Sequence, residues 1–283
     1  MELQFEERHK YRLGKPVHST PNSKLYKAMD LDYGRDVAIK EIIIEGKNEK
    51  EKSFNYSRAF QEVKTMIQIS FLTSKIPNIY ATYYDKKNSK LYIVMQWING
   101  KTLADKMKGR LLETNFLNNM QELCEILDVM DKRNFQHKDI KPENIMFNEN
   151  NELYLIDFNL SVSNPNMIDG TMFYKAPEMD LGSQTVSRKK ADMFSIGVMM
   201  YYYFTKKLPS PGIDYMVYDS SSHRWDYFTE PKDINPEIHL KINDLIVKLM
   251  AYEENDRFRD YRELNRAIEK VKRIIRNGKR KKQ

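Results

Sequence analysis

The sequence predicts an α+β fold in which a small, strand-rich N-terminal lobe precedes a larger, mostly helical C-terminal lobe. Short apolar runs bounded by turn residues dominate the first hundred residues, whereas apolar residues at helical spacing dominate the rest. The chain has 283 residues, of which 41% are hydrophobic. A chain of this size can form one large domain or two lobes.

The N-terminal part contains strand and turn signals around one helix. In residues 17–29, Thr20-Pro21-Asn22-Ser23 predicts the tip of a hairpin, because proline presets the second turn position and asparagine tolerates the third. Residues 36–44 and 90–97 are apolar strands, and Asn99-Gly100 ends the second. Residues 57–69 predict a helix whose apolar face consists of Ala59, Phe60, Val63, Met66 and Ile67.

After Gly100 the pattern is mostly helical. Residues 115–132 and 192–204 predict two helices, and two short apolar runs lie between them, around residues 145–147 and 154–156. A connection rich in proline, serine and aspartate follows over residues 209–236, and two helices close the chain. We expect the last helix to end at Gly278. Its apolar stripe consists of Leu264, Ala267, Ile268, Val271, Ile274 and Ile275.

The basic charge of the protein is concentrated at its C-terminal end. Lysine and arginine number 47 against 40 aspartates and glutamates, for a net charge of +7. Residues 271–283 hold seven basic residues and no acidic one, so residues 1–270 are formally neutral. Three interpretations of this tail stay open, namely a solvated disordered end, a contact with an anionic membrane, and nucleic-acid binding. The third is the weakest, because the tail has no aromatic residue on which bases could stack.

Composition excludes several classes of protein. The single cysteine, Cys124, cannot form an intramolecular disulfide or a multi-thiolate metal site, and it suits a reducing compartment. The most apolar stretch, residues 194–205, is twelve residues long, whereas a membrane span needs about 20. The N-terminal residues lack the apolar region of a secretory signal. We therefore expect a cytoplasmic protein, which would be peripheral to a membrane under the second of the three interpretations of the tail.

Two groups of residues match the needs of phosphoryl transfer to a hydroxyl, a reaction that requires a lysine for phosphates, oxygen ligands for Mg²⁺ and a carboxylate near the attacking hydroxyl. Lys40 lies inside an apolar strand, where an ammonium group is costly unless paired. Glu62 on the next helix is a candidate partner. The alternative is a strand-edge lysine whose side chain reaches water.

The second group is more specific. The segment HKDIKPEN, residues 137–144, brings the carboxylate of Asp139, the ammonium of Lys141 and the amide of Asn144 into one short loop. Asp157 directly follows a short apolar run, and Asn144 and Asp157 are a candidate pair of oxygen ligands for Mg²⁺. The alternative, a solvated turn and a capping aspartate, explains neither the motifs nor their spacing.

These motifs resemble those of the eukaryotic-type (Hanks-type) serine/threonine protein kinases, and the resemblance covers residues 8–270. Residues 170–178 match the family's segment ending in Ala-Pro-Glu, residues 192–198 match its buried helix motif, and Arg257 matches the arginine that pairs with Glu178. The resemblance implies a bilobal protein-kinase-like fold. It has a β-rich N-lobe with one main helix (residues 8–97), an α-helical C-lobe (98–270), and a basic helix end and tail (271–283).

The resemblance also implies catalytic roles for residues of this loop and for the aspartate that follows it. Asp139 would be the catalytic base, Lys141 would neutralise charge on the transferring phosphoryl group, and Asn144 and Asp157 would hold Mg²⁺. His137 and Asp192 would brace the loop. Lysine at position 141 and Thr171, whose hydroxyl in the family bridges the catalytic aspartate and lysine, are typical of enzymes that act on serine or threonine in protein substrates.

ATP is the nucleotide that the resemblance implies. Lys40 would hold the α- and β-phosphates and pair with Glu62. The backbone at Gln96 and Ile98 would bind adenine, and Met95 would be the gatekeeper beside it. The remaining residues that the resemblance places at the nucleotide are Val17, Leu25 and Ala38 around the ring, and His18, Thr20 and Ser23 in the loop over the phosphates.

The sequence departs from the family pattern at three places. His18, Thr20 and Ser23 occupy positions where glycines are usual, and a Cβ obstructs the close approach of backbone to phosphates. We expect weaker ATP binding, partly offset by the two hydroxyl groups. Asn159 replaces a glycine after Asp157, and Lys138 replaces an arginine before Asp139.

We therefore predict an ATP- and Mg²⁺-dependent serine/threonine protein kinase. The alternative is a pseudokinase scaffold that binds partners, with or without nucleotide, and transfers no phosphate. A scaffold does not require the catalytic set of residues that this sequence retains, so the sequence favours catalysis.

Overall fold

The computed structural model describes residues 9–158, 172–179, 190–209, 218–219, 224–225 and 228–280. Within these ranges the description omits some side chains, namely those of Glu62, Met172, residues 218–219, residues 224–225 and residues 278–280. The described residues divide into two compact units, and the division falls between Asn99 and Gly100.

The first unit contains a five-stranded antiparallel sheet. Its strands are β1 (Tyr11–Ser19), β2 (Ser23–Asp30), β3 (Arg35–Ile43), β4 (Ile79–Asp85) and β5 (Lys90–Gln96), in the spatial order β1-β2-β3-β5-β4. Residues opposite each other in such a sheet share a face. The register pairs Leu25 with Lys40 and Ala38 with Met95, so these four side chains lie on one face.

One long helix, α1 (Glu49–Ser70), belongs to the first unit. Ala59 and Val63 of α1 pack with Ile44, Leu91 and Ile93 in one apolar cluster. A second cluster, on the opposite face of the sheet, contains Ala28, Val37, Ile39 and Val94, with tyrosines packed against it. The sheet is therefore covered by α1 on the face that carries Lys40.

The second unit is mainly helical. Its helices are α2 (Leu103–Lys108), α3 (Glu113–Asp131), α4 (Ala191–Thr205), α5 (Pro231–Ile234), α6 (Leu240–Leu249) and α7 (Tyr261–Arg280). Its strands are β6 (Gly100–Thr102), β7 (Ile145–Asn148) and β8 (Leu153–Leu155) in one antiparallel sheet, and β9 (Tyr218–Asp219) and β10 (Arg224–Trp225) in another. Single 3-10 turns occur at Pro142–Asn144, Met172–Tyr174, Pro177–Met179 and Glu254–Asp256.

The core of the second unit surrounds α4, which is buried along nearly its whole length. Phe116 of α3 stacks on Tyr203 of α4 with ring centroids 3.9 Å apart. Gly197 of α4 allows α6 to pack closely, since an added Cβ would lie 2.7 Å from a Met250 side-chain carbon and 2.8 Å from that of Leu249. Among the described helices, none is both long enough and apolar enough to cross a membrane.

The predicted α+β architecture, with a strand-rich first unit and a helical second unit, is confirmed. Several element boundaries differ from the prediction. Helix α1 begins at Glu49 rather than near residue 57, because Asn48 caps it by accepting the N–H of Glu51. Helix α7 continues through Gly278 to Arg280, so the predicted stop at that glycine is wrong. Glycine favours the end of a helix where its backbone takes up the left-handed conformation, whereas Gly278 lies inside α7.

Candidate active site

The loop between α3 and β7 holds three of the predicted site residues in direct contact. One carboxylate oxygen of Asp139, Oδ2, lies 2.9 Å from Nζ of Lys141 and accepts a 2.9 Å hydrogen bond from Nδ2 of Asn144. The same nitrogen of Asn144 donates to the backbone oxygen of Asp139 at 2.8 Å. The NH2 group of the Asn144 side chain therefore donates to Asp139. The side-chain oxygen of Asn144 can accept or coordinate a further group.

Partial burial makes this contact electrostatically stronger than a surface pair. The side chains of Asp139 and Lys141 are 13% and 22% exposed, and Asn144 is buried. Ile140 is fully buried between them and anchors the loop in the second unit. The carboxylate is therefore fixed in position by one ammonium and one amide while part of it still faces solvent.

Asp192 at the start of α4 stabilises the backbone of the loop that carries Asp139, as predicted for this residue. Its two carboxylate oxygens accept the backbone N–H groups of His137 and Lys138, both at 2.8 Å. Burial raises the pKa of Asp192, while the two backbone donors and the neighbouring His137 act in the opposite direction. Lys138 has a positive φ of 66°, so the carboxylate stabilises a backbone turn that a lysine rarely adopts.

His137 serves the same architecture through its ring. Nε2 lies 3.1 Å from the backbone oxygen of Ile156, and the ring centroid is 4.8 Å from that of Phe158. Both His137 and Phe158 are fully buried. Since Ile156 and Phe158 flank Asp157, the histidine links the segment that carries Asp139 to the segment that carries Asp157.

Asn144 and Asp157 lie at the same end of the β7–β8 hairpin. Ile145 pairs with Leu155, and the N–H of Ile156 donates to the backbone oxygen of Asn144 at 2.9 Å. Asp157 itself has a φ of 57° and is exposed. An amide oxygen and a carboxylate, both hard oxygen donors, are the ligand chemistry that Mg²⁺ prefers, so the residues present fit this ion.

Glu178 and Arg257 form the ion pair that the sequence resemblance implied. Each terminal nitrogen of Arg257 donates to one oxygen of Glu178, at 2.6 and 2.7 Å, and both side chains are almost fully buried. Arg257 also donates to the backbone oxygens of Lys190, Ala251 and Tyr252. The pair therefore fixes the segment that ends in Ala-Pro-Glu to the start of α4 and to the chain after α6.

The first unit carries the residues predicted for the nucleotide. Leu25, Ala38, Lys40 and Met95 share one face of the sheet. Ala38 is buried, whereas Leu25, Lys40, Met95 and Gln96 are partly exposed. Ile98 is buried shortly after β5. Glu62 lies on α1, the helix that covers this face, but its side chain is outside the description, so its pairing with Lys40 stays a prediction.

The β1–β2 turn is closed by the two residues that stand in place of glycines. The hydroxyls of Thr20 and Ser23 are 2.9 Å apart, the N–H of Ser23 donates to Oγ1 of Thr20, and the N–H of Thr20 donates to the backbone oxygen of Ser23. The register pairs His18 with Leu25, and Val17 is about half exposed. The turn between β1 and β2 contains no glycine, and side-chain hydroxyls stabilise its tip.

Three of the predicted features lie outside the described residues. These are Gly170, which begins the segment ending in Ala-Pro-Glu, Thr171 directly after it, and Asn159 directly after Phe158. Their roles stay predictions from the sequence.

Fold and site together define a protein-kinase-like domain. A five-stranded antiparallel sheet with one covering helix bears the lysine, and a helical unit bears an aspartate–lysine–asparagine loop followed by a second aspartate. The family model described as Protein kinase domain matches residues 14–267. The chain therefore belongs to the protein kinase family, as the motifs predicted.

The chain is also similar to individual curated proteins. It is 26% identical over 272 residues to the protein named Probable serine/threonine-protein kinase of Clostridium acetobutylicum, covering 93% of this chain and 40% of that protein. It is 30% identical to CBL-interacting serine/threonine-protein kinase 19 of Arabidopsis thaliana, covering 88% of this chain and 51% of that one. It is 23% identical to serine/threonine-protein kinase PrkC of Bacillus subtilis, covering 88% of this chain and 38% of that protein. The chain spans about two-fifths to one-half of the length of these relatives.

Sequence reasoning missed two parts of the site. It assigned Asn144 to the metal only, whereas this side chain also orients Asp139. It also did not predict the positive φ that Lys138 and Asp157 adopt in this site. Asparagine and aspartate adopt such angles more readily than most residues, so Asp157 gave a signal of this kind and Lys138 gave none.

Proposed function

We propose that the protein is an active kinase that transfers the γ-phosphoryl group of Mg-ATP to serine or threonine hydroxyls of protein substrates. The observation that carries the proposal is the carboxylate of Asp139, held by Lys141 and Asn144 at 2.9 Å each. A fixed and partly exposed carboxylate beside an ammonium group is what transfer to a hydroxyl requires.

The reaction assigns a separate task to each of these side chains. The oxygen of the substrate hydroxyl attacks the γ-phosphorus, its bond to phosphorus forms, and the bond from phosphorus to the β–γ bridging oxygen breaks. Asp139 orients the hydroxyl and takes its proton, so that ADP leaves with the bridging oxygen. Lys141 compensates negative charge on the phosphoryl oxygens as they pass between the two partners.

Asn144 and Asp157 would hold Mg²⁺ through the amide oxygen and the carboxylate. When bound, the ion neutralises charge on the phosphates. The hydrogen bonds from Asn144 to Asp139 give the amide one orientation, with its oxygen free to act as a ligand. The same side chain thus positions the base and contributes to ion binding, and its loss is expected to affect both.

The first unit would supply nucleotide binding. Lys40 would contact the α- and β-phosphates from the sheet face that it shares with Leu25, Ala38 and Met95. Serine or threonine as acceptor is supported by the lysine at position 141, by Thr171 in the sequence, and by relatives whose names describe serine/threonine-protein kinases.

The proposal is tested by phosphate transfer from γ-labelled Mg-ATP to the protein itself and to a generic protein substrate. Asp139→Asn should reduce the transfer rate about a thousandfold, because general-base assistance is of that size. Asn144→Ala should reduce the rate and also raise the Mg²⁺ concentration needed for half-maximal activity. Asp244→Asn, on the exposed part of α6, is the matched control and should match the wild type.

The second candidate function is a pseudokinase scaffold, and the observation that favours it is the hairpin tip. Thr20 and Ser23 bond to each other, and they occupy positions where glycine usually lets backbone approach phosphates. If the wild type and Asp139→Asn both fail to transfer phosphate while the protein is folded, the scaffold is the better description. A fluorescent ATP analogue then determines whether the scaffold binds nucleotide.

We also propose a cytoplasmic location with a peripheral contact between the basic tail and an anionic membrane. ATP supply and a reduced thiol at Cys124 suit that compartment, and the tail has the charge for the contact. Fractionation of cells that express the full chain tests the location. Recovery in a secreted fraction would contradict it.

A further inference from the structure

Helix α7 carries an ordered basic face. Five basic residues of the helix are exposed and recur at steps of three or four residues, namely Arg262, Arg266, Lys270, Arg273 and Arg276. At 100° per residue these positions fall within about one-third of the helix circumference. They extend along about 21 Å of the helix, so the basic character of the C-terminal end begins well inside the described fold.

The opposite side of α7 is fixed against the rest of the unit. Leu264, Ile268 and Val271 are buried, and the side chain of Lys272 turns inward, where its ammonium bonds to the side-chain oxygen of Gln121 on α3. Because the apolar stripe is packed, the helix cannot rotate, and its basic side is held toward solvent.

Neighbouring acids neutralise only part of this face. Arg273 pairs with Glu269 at 3.1 Å and Arg262 lies 3.5 Å from Asp128. In the part of the chain that the structure describes, Arg266, Lys270 and Arg276 form no ion pair. Three cations on one side of the helix are therefore available to an external anionic partner.

We propose that this face, defined as Arg262, Arg266, Lys270, Arg273 and Arg276, docks onto an anionic lipid surface. Long, flexible cationic side chains on one exposed side of a helix can reach the phosphate and carboxylate groups of a lipid surface together. Duplex DNA is the competing anionic surface, because its phosphates attract exposed cations in the same way, and it is therefore included in the test. Single strands fit less well because the face has no aromatic side chain for stacking.

The inference deepens the membrane contact proposed for the tail and rests on it for the choice of an anionic lipid surface. It is independent of catalysis. The tail residues Lys281 and Lys282 follow α7 directly in the sequence, so face and tail form one continuous basic stretch. The ordered face, and not the tail alone, supplies the positive charge that binds the lipid surface.

The experiment is sedimentation of the full chain with vesicles of phosphatidylcholine containing about one-third phosphatidylserine. A Lys or Arg near such a surface strengthens binding about fivefold. The triple variant Arg266→Gln, Lys270→Gln, Arg276→Gln should therefore bind about a hundredfold more weakly. The matched control Lys101→Gln, Lys108→Gln, Arg110→Gln removes the same charge from exposed positions around α2 and should lose far less. Raising the salt should weaken wild-type binding.

Four outcomes would overturn the inference. These are equal binding of the two triple variants, wild-type binding that pure phosphatidylcholine supports equally, loss of binding on deleting residues 281–283 but not in the α7 variant, and tighter binding to duplex DNA or polyglutamate than to vesicles. Urea unfolding of each variant verifies that it is folded. Asp139→Asn should bind vesicles as the wild type does, because Asp139 is not part of the α7 face. Vesicle binding and phosphate transfer are thus separate measurements, and the failure of one proposal does not decide the other.

Discussion

Arg257 and Glu178 form a bidentate ion pair inside the second unit, with the two terminal guanidinium nitrogens 2.6 and 2.7 Å from the two carboxylate oxygens. The arginine side chain is fully buried, and three backbone oxygens accept its remaining N–H groups. All the donors of the guanidinium are therefore directed at acceptors. The stability of a charge buried in this way depends on its partner, because water cannot reach the site to solvate the charge in the partner's place.

Arg257→Ala should lower the free energy of unfolding by about 3–5 kcal/mol, because it leaves the carboxylate of Glu178 buried without its partner. Urea unfolding measures this loss. The double variant Arg257→Ala, Glu178→Ala should lose less than the sum of the two single variants. A loss below about 1 kcal/mol for Arg257→Ala would contradict the burial of the pair.

Asp192→Asn should impair the loop that holds Asp139. The carboxylate of Asp192 accepts two backbone N–H groups. The asparagine side chain has one oxygen to accept one of them, and its NH2 group, a donor, would face the other N–H. We expect about 1–3 kcal/mol of destabilisation. A shift of the loop by about 1 Å would lower the transfer rate about a hundredfold.

Transfer kinetics and urea unfolding of the same preparations test this expectation. The KM for ATP should change little, since Asp192 contacts the loop backbone and not the nucleotide-binding sheet. Wild-type kcat in a folded Asp192→Asn protein would show that the two hydrogen bonds do not position Asp139.

Gly100→Ala should destabilise the protein, whereas Gly109→Ala should not. A Cβ on Gly100 would lie 1.8 Å from the backbone oxygen of Phe147, which pairs with β6 in the sheet. The strand must move to make room, and we expect a loss of about 1–3 kcal/mol. At Gly109 the nearest atom is 3.5 Å away and φ is −89°. Thermal unfolding of the two alanine variants should separate them, and equal midpoints would contradict the close approach of β6 and β7.

Asp30→Asn should destabilise the protein at neutral pH and less so in acid. Burial raises the pKa of Asp30, but the N–H groups of Tyr33 and Asp32, together with His9 and Arg35, outweigh it and lower the pKa. A carboxyl whose pKa is depressed on folding adds stability above its unfolded pKa, and this stability is lost as the pH falls through the folded pKa. The difference between variant and wild type should therefore shrink below about pH 4.

Urea unfolding at several pH values follows this difference. Asp32→Asn, whose side chain is 42% exposed, is the control and should show a smaller effect at every pH. A gap for Asp30→Asn that stays constant down to about pH 2 would mean that the ionised carboxylate does not contribute.

Much of the site could be predicted from the sequence because its residues are neighbours in the chain. Asp139, Lys141 and Asn144 share one short loop, and Asp157 follows the strand pair that the loop begins. The elements that sequence reasoning missed have weak local signals. Strand β4, IYATYYD, is rich in tyrosine and does not alternate, and the first two turns of α1 are mostly polar, so neither shows an apolar period.

The sequence by itself determined the chemical groups of this protein, the order in which they occur and the concentration of positive charge at its end. Only the tertiary structure decided which groups meet, since Asp192 contacts two backbone N–H groups more than 50 residues away, one of them at Lys138 with its positive φ. It also decided that the basic residues of α7 lie together on one exposed side of the helix. The reason is physical: side-chain contacts and exposed faces follow from how helices pack, and packing depends on the whole fold.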